Sequence, residues 1–310
     1  MISPAFTTLR QFFRLCYKPL RLRGKSVDST RLHEITLNNF AKFLDREARI
    51  DDLTSDVIGC FLAWMLDRGR QAITVNDNRN RLMALARFAV RKGYLAEEPD
   101  VEPENEPERV VRAWLTVDLE ALFAACAAQD GMIGGIPAAL WWVGLHLVCL
   151  FTGERIRAVL SLRWEQVDLA AGWLVLTAEQ RKGSRRDKEW QLPEVTIAAL
   201  RGLKAKATGP LVFERDFCMG TVYNRYSRIL DSAGLPSDRQ SKFHRMRKST
   251  ASHFAAAGGN ATALLDHSSA RVTAKYLDKR IVKEQSAADL LTAPDAAIAF
   301  MRLNRVKDPE

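Results

Sequence analysis

The twelve residues from Glu97 to Glu108 constrain this chain more than any other stretch. They read EEPDVEPENEPE, with seven acids, no base, and prolines at positions 99, 103 and 107. Each proline fixes its φ and removes a backbone donor, and no apolar periodicity is available to bury, so neither a helix nor a central strand runs through. The segment reads as an extended interdomain linker. It separates about 100 residues from about 200, and each part is long enough for a core of its own. The expected organisation is a first domain over 1–96, a linker over 97–111 and a second domain over 112–310.

Before the linker, Ile35, Leu37, Phe40, Ala41 and Leu44 follow helical spacing, and Leu53–Leu66 and Thr74–Arg91 form two more amphipathic runs. Thr74 is the expected N-cap of the third, with Asp77 near its positive dipole end. These runs predict a small helical bundle. After the linker, helices are predicted over 115–128, 138–151, 155–164, 195–203, 222–232, 243–257 and near Thr273. Trp173–Thr177 and Glu189–Leu192 are predicted to pair as strands across a basic loop. The fold class is mainly α (α+β), with a helical bundle first and then a mostly helical domain carrying a small antiparallel sheet.

From Gly131 to Gly153 no residue is formally charged, a length sufficient to cross a bilayer. Pro137, His146 and several glycines interrupt it, and the continuous apolar part, Ala138–Phe151, has the length of a buried core helix. The N-terminus carries Arg10, Arg14, Lys18, Arg21, Arg23 and Lys25 without an apolar h-region, so no secretory signal is expected. Five widely spaced cysteines contain no C-x-x-C pair, which points away from a disulfide framework and from a cysteine zinc site. A reducing cytoplasm is the expected location.

There are 46 Lys and Arg against 37 Asp and Glu, giving a net charge of +9, and seven of those acids are confined to the linker. The remaining surface is therefore more basic than the total implies, which favours a polyanionic partner. Arg10, Arg14 and Lys18 near the N-terminus, Arg79, Arg81 and Arg87 off the apolar stripe of the third run, and Arg185 and Arg186 in the basic loop are the candidate phosphate contacts. The alternative for each is a solvated basic face.

Four separated segments then hold a pattern that packing alone does not explain. They are Thr152-Gly153-Glu154-Arg155, Lys182-Gly183, His244-Arg245-Met246-Arg247, and His267 followed nine residues later by Tyr276. His244 and Arg247 lie one helical turn apart, so both can face one ligand. Taken singly, each residue has a plain structural reading; Tyr276, for instance, suits an amphipathic helix with a buried ring and a wet hydroxyl.

In this order and spacing the segments resemble the tyrosine recombinase (phage integrase) family. TGERIRAVLSLRWEQVDL is similar to the family's TG-x-R box, HRMRKSTASHFAAAG to its H-x-x-R box, and LLDHSSARVTAKYLD to its LLGHSS box ending in the nucleophilic tyrosine. The first domain resembles the family's core-binding domain. Two positions depart from the pattern: Ala158 stands where Glu is usual, and Asp266 where Gly is usual. The stretch between Gly258 and Leu264 is also shorter than the family's, implying a trimmed helix.

The resemblance implies that Arg155, Lys182, His244, Arg247, His267 and Tyr276 are catalytic, with Tyr276 the nucleophile and Lys182, in a hairpin loop, the general acid. Lys188 stays open as the alternative lysine, because the distance from Lys182 to Pro193 exceeds the family's. The implied reaction joins tyrosine to a DNA 3′ phosphate, frees a 5′ hydroxyl, and is then reversed on a partner strand without metal or other cofactor. No phosphate-cradling G-x-x-x-x-G-K-[ST] loop and no H-E-x-x-H motif is present.

Implied partners are double-stranded DNA with specific recombination sites, further copies of the chain in a synaptic tetramer, and accessory DNA-bending proteins. No membrane partner is expected. Apolar residues within 287–291 and 296–301 suit docking either on a neighbour or within the same chain. Two other readings stay open here: a type IB topoisomerase-like nicking and religating enzyme, and a DNA-binding protein whose pocket has decayed.

Overall fold

The structure, a computed structural model, describes residues 8–181, 186–283 and 293–303. The chain divides into two compact units, 1–109 and 110–310. Each has its own apolar core.

The first unit opens with helix that amphipathic periodicity over 35–91 gave no reason to expect. It comprises α1 (Leu9–Phe12), a π-helical turn (Phe13–Tyr17) and α2 (Lys18–Arg21). Leu9, Phe12, Phe13 and Tyr17 are buried, which ties these residues to the bundle rather than leaving a loose basic tail. Then come α3 (Val27–Leu44), α4 (Ser55–Asp67) and α5 (Ala72–Arg91). Their apolar stripes meet in a core that includes Phe12, Phe40, Phe61, Leu82 and Phe88. The helix α5 begins two residues earlier than expected: Gln71 is the N-cap, and Thr74 lies inside the first turn rather than capping it. The Thr74 carbonyl instead accepts the Asn78 side-chain amide at 2.8 Å.

The acidic segment has no regular secondary structure, as its prolines require, but it is not a free tether. Asn76 donates to the Glu104 carbonyl at 2.9 Å and to Glu106 at 2.7 Å, and its own side-chain oxygen accepts the Glu104 N–H at 2.8 Å. Ser55 accepts the Asp100 N–H at 2.8 Å. These bonds satisfy backbone groups that a bare extended strand would leave to water.

In the second unit, α6 (Thr116–Ala127) leads to a two-residue hairpin, β1 (Met132–Ile133) with β2 (Ile136–Pro137), and then to α7 (Ala138–Thr152). The uncharged run is thus a buried core helix: Trp141, Trp142, Leu145 and Val148 are buried, and α7 packs on α6 and the helices that follow. Among the described residues no helix is long and apolar enough to cross a membrane. Gly144 permits this packing, since a Cβ there would meet Leu203 Cδ1 at 2.8 Å.

The expected helix over 155–164 is only one turn, α8 (Ile156–Val159). It ends because the next residues pair with a distant segment. Leu162 accepts the Val212 N–H at 2.9 Å and Trp164 donates to Pro210 at 3.0 Å. A three-stranded antiparallel sheet follows, built from β3 (Val167–Asp168), β4 (Trp173–Leu176) and β5 (Lys188–Gln191) in the order β3-β4-β5. Leu174 sits opposite Trp190 and Leu176 opposite Lys188.

Next come α9 (Glu194–Lys204), α10 (Met219–Ser232) and α11 (Phe243–Ala256). Two five-residue helices, α12 (Ala261–Leu265) and α13 (Ala270–Ala274), lead to Tyr276. A further helix occupies Asp295–Leu303, which covers the second apolar run noted above; the first, at 287–291, lies outside the described residues.

Candidate active site

The site is assembled where α7 ends. Thr152 is fully buried and its hydroxyl donates to the Val148 carbonyl at 2.6 Å. Gly153 takes the left-handed conformation (φ 64°) that terminates the helix, with its N–H on the Cys149 carbonyl at 2.9 Å. A side chain there would be strained, and its Cβ would lie 3.1 Å from Leu265 and 3.2 Å from Thr250. The Thr-Gly pair therefore sharply turns the chain and lets α11 and α12 close on it. Arg155 then emerges, exposed, as the N-cap of α8.

The other groups come from α11 and the two short helices. Arg247 is buried, at 2% exposure. Its Nη1 donates to the Gly153 carbonyl, and its Nη2 donates to the Leu265 carbonyl at 2.8 Å and lies 3.4 Å from His267 Nε2. One guanidinium thus ties three segments together. His244, a turn earlier, is exposed and has its ring 5.1 Å from that of Tyr276, edge on. The His267 ring lies 4.6 Å from the same tyrosine, and the Arg247 guanidinium carbon 5.8 Å from it.

Tyr276 itself is half-buried, with its ring against the small cluster of Ala251, Ala261 and Leu265. Arg155, Arg157, Gln180, Tyr223, His244 and Arg247 line a cleft of about 240 Å³ whose floor includes Ile156, Ala158 and Phe243. Five of the six expected catalytic positions are therefore gathered about one tyrosine and its neighbouring cleft. The sixth, Lys182, lies outside the described residues, as does Arg185. Lys188, the alternative lysine, donates its ammonium to the carbonyls of Ala263 (2.6 Å) and Leu264 (2.7 Å).

The electrostatics follow from crowding cations. Desolvation, then Lys248, Arg247 and Arg155, push the His244 imidazole down to about 4, so it is neutral at physiological pH and able to accept a proton. His267 is lowered for the same reasons, desolvation first and then Arg247 and Arg155, with Asp266 and Glu154 opposing. Its Nδ1 lies 3.1 Å from the Thr273 hydroxyl. That hydroxyl donates to the Ser269 carbonyl and is itself donated to by Thr262, which leaves it to accept from a neutral His267 protonated on Nδ1. Lys188 is lowered by burial and by Arg181.

Two charged groups that the sequence motifs did not single out lie beneath these. Glu154 and Arg181 have side chains 1% and 2% exposed, and Arg181 Nε donates to Glu154 Oε1 at 2.8 Å. Glu154 Oε2 lies 3.7 Å from Arg247 Nη1, and Arg181 Nη2 lies 3.4 Å from Asp266 Oδ2. The one local signal for them was Ala158, where the expected carboxylate is missing. Asp266, the other departure, has a left-handed backbone (φ 54°), the conformation for which Gly is usual and Asp among the better-tolerated substitutes.

The candidate phosphate contacts divide. Arg10 pairs with Glu34 (3.0 Å) and Glu47 (3.4 Å), and Arg14 with Glu34 (2.8 Å). Arg79 donates to the Val101 carbonyl, Arg81 lies 3.5 Å from Asp77, and Arg87 lies 3.3 Å from Glu98. Lys18 and Arg186 are exposed, and Arg186 reaches Asp266 at 3.5 Å.

A mainly helical unit with a three-stranded sheet thus carries two arginines and two histidines around a half-buried tyrosine and its neighbouring cleft. The family model described as "Phage integrase family" matches residues 116–281, and the "Phage integrase SAM-like domain" matches residues 8–102. The chain belongs to the phage integrase family. Among curated relatives, tyrosine recombinase XerC of Mycobacterium tuberculosis is 30% identical over 147 residues, 47% of this chain and 49% of that protein. Tyrosine recombinase XerD of Pseudomonas aeruginosa is 26% identical over 193 residues, 61% of each. The chain thus spans about half the length of the curated relatives it matches. By fold, it is similar to a lambda integrase dimer bound to a COC′ core site (TM-score 0.67, 18% identity, 90% of this chain and 79% of that one). It is also similar to the Tn1549 transposon integrase in complex with a circular intermediate DNA (TM-score 0.69, 14% identity, 96% and 99%).

Proposed function

We propose that this protein is a site-specific DNA recombinase that cuts and rejoins DNA through a 3′-phosphotyrosine intermediate, with Tyr276 as nucleophile. The observation that carries the reading is the gathering of Arg155, His244, Arg247 and His267, from three separated segments of sequence, about Tyr276 and its neighbouring cleft. A phenol has a pKa near 10, so only on the order of 0.1% is phenolate at neutral pH, and proton removal must accompany attack. The neutral His244 beside it is the base.

The Tyr276 oxygen attacks the scissile phosphorus, the bond to the 5′ oxygen breaks, and that oxygen leaves as a hydroxyl once it takes a proton. Negative charge builds on the non-bridging oxygens during the transfer. Arg155 and Arg247, permanently cationic and forked, are suited to hold it. Arg247 keeps a buried Nε–H without an acceptor among the described residues, a donor still to be satisfied. His267 borders the same space. Lys182 is the proposed proton donor to the leaving oxygen, and the two carbonyls holding Lys188 make that residue the weaker candidate. A 5′ hydroxyl from a partner strand then attacks the phosphotyrosine, restoring the phenol and a continuous strand.

The substrate is double-stranded DNA carrying recombination sites, and the working form is a tetramer of this chain on two duplexes, joined by accessory DNA-bending proteins where a site needs bending. It acts at the nucleoid in the cytoplasm. The test uses nicked suicide substrates tiled across the DNA flanking the gene. A covalent protein–DNA adduct at one site, and strand exchange between two such sites, are expected. Relaxation of supercoils without exchange would instead identify a nicking and religating enzyme.

A further inference from the structure

Five buried or half-buried charges underlie the candidate site: Glu154, Arg181, Lys188, Arg247 and Asp266. Two are anions and three are cations, and three have side chains no more than 2% exposed. Taking such charges out of water commonly costs as much as their attraction returns, so stability is a weak reason for a chain to keep them. Geometry is a better one. Glu154 spans the site. Its Oε1 holds Arg181, and its Oε2 accepts the Arg155 backbone N–H at 3.1 Å and lies 3.7 Å from the Arg247 guanidinium. Arg181 then crosses to Asp266, 3.4 Å away. Asp266 occupies the turn between Leu265, whose carbonyl holds Arg247, and His267.

We propose that Glu154, Arg181 and Asp266 are positioning residues, a carboxylate–guanidinium–carboxylate bridge that fixes where Arg247 and His267 stand and what field they feel. The proposal rests on the recombinase reading of the same site. The bridge supplies the carboxylate that is missing at Ala158, from the other side of Arg155. It joins the Thr152–Arg155 turn, from which Arg155 emerges, to the Leu265–His267 turn, which carries His267. It also sets charge. His267 is faced by Asp266 on its own turn, by Arg247 and His244 from α11, by Glu154 and Arg155 from the turn after α7, and by Tyr276, with Arg181, Arg186 and Lys188 around Asp266. Without the two carboxylates the cations there would repel one another and oppose any proton on the imidazole.

The experiment compares E154Q, D266N, R181M and the double variant E154Q/R181M in the full chain, on a nicked substrate containing its cleavage site. Single-turnover cleavage should fall by on the order of 10²-fold in each single variant, the scale at which a small displacement of a reacting group acts, while DNA affinity is unchanged. NMR titration of the His267 imidazole separates positioning from packing. Its midpoint should move down in E154Q and D266N and up in R181M, with the double variant between them. Packing damage would not sort by the sign of the charge removed.

Cleavage by E154Q at the wild-type rate, or His267 shifts of one direction in all variants, would overturn the bridge. Should E154Q fail to fold by circular dichroism, D266N decides: its carboxylate is half-buried and Asn tolerates the left-handed backbone. Should the wild-type chain form no adduct on any substrate, the recombinase reading falls, and the His267 titrations alone decide whether the bridge exists.

Discussion

Two sets of arginines, one in each unit, are used in opposite ways. In the first unit Arg14 and Arg87 are exposed and Arg10 and Arg81 half-buried, and all four pair with acids of their own unit, one of them from the proline-rich segment. In the second, Arg181 and Arg247 are buried and share two carboxylates beneath the candidate site. A surface pair in water contributes little and is screened by salt, so it can be exchanged for a phosphate at small cost. A buried pair is held in one geometry, and breaking it leaves a charge without water or partner. The same residue type therefore serves as an exchangeable contact in one unit and as fixed architecture in the other.

The largest expected effect separates the two clamp arginines. Arg247→Ala and Arg155→Ala should each cost about 10³ to 10⁵ in single-turnover cleavage, the scale of arginine stabilisation in other phosphoryl transfers. Only Arg247→Ala should also lose roughly 2–6 kcal/mol of stability in urea, because it leaves the Gly153 and Leu265 carbonyls without their buried donor while Glu154 keeps Arg181. Arg155, exposed, should leave the denaturation midpoint almost where it was. Equal destabilisation by the two would break the contrast between buried and exposed guanidinium groups.

Acid comes next. His146 is fully buried among Trp142, Tyr226 and Phe243, its Nδ1 on the Trp142 carbonyl at 2.8 Å, and burial pushes it down to about 4. In the unfolded chain it titrates near 6.5, so the unfolded state binds more protons below that pH. Its contribution to stability is present above about 6.5 and is lost as pH falls toward 4. From pH 7 to 4 this amounts to no more than about 3 kcal/mol. His146→Gln should flatten that limb of the urea-stability profile. Cleavage should hold its rate well below pH 6.5, because His244 stays unprotonated to about 4. A cleavage midpoint at an ordinary histidine value would remove His244 from the base role.

The smallest effects belong to the first unit. Lys18→Ala should lower the slope of log affinity for DNA against log salt by about 0.9, one phosphate contact. Arg87→Ala should lower it less, since Glu98 must be released first, and should change stability by only about 0–1 kcal/mol. A larger slope change for Arg87 than for Lys18 would mean that the acidic segment leaves α5 when DNA binds.

Local patterns were legible in the sequence, and distant pairings were not. Helical spacing located α4, α5, α7 and α9 to within a few residues and the second half of α3, because each buries a stripe that its own residues define. His244 and Arg247 could be placed on one face by counting alone. The single turn of α8 could not, since Leu162 and Trp164 leave the helix to bond Val212 and Pro210, some fifty positions on. Nor could the partnership of Glu154 with Arg181, which depends on the hairpin folding back over the end of α7. The prolines at 97–108 ruled out regular secondary structure there, yet nothing local revealed that Asn76 would bond Glu104 and Glu106, or Arg79 the Val101 carbonyl.

The central claim concerns one phenolic oxygen, and peptide mapping of the trapped adduct tests it most directly. Cleavage of a nicked substrate, followed by nuclease and protease digestion and mass spectrometry, should recover a nucleotide-linked peptide whose modified residue is Tyr276, with none from the Tyr276→Phe chain. A nucleotide found on Tyr223, which lines the neighbouring cleft, or an adduct that survives in Tyr276→Phe, would contradict the account.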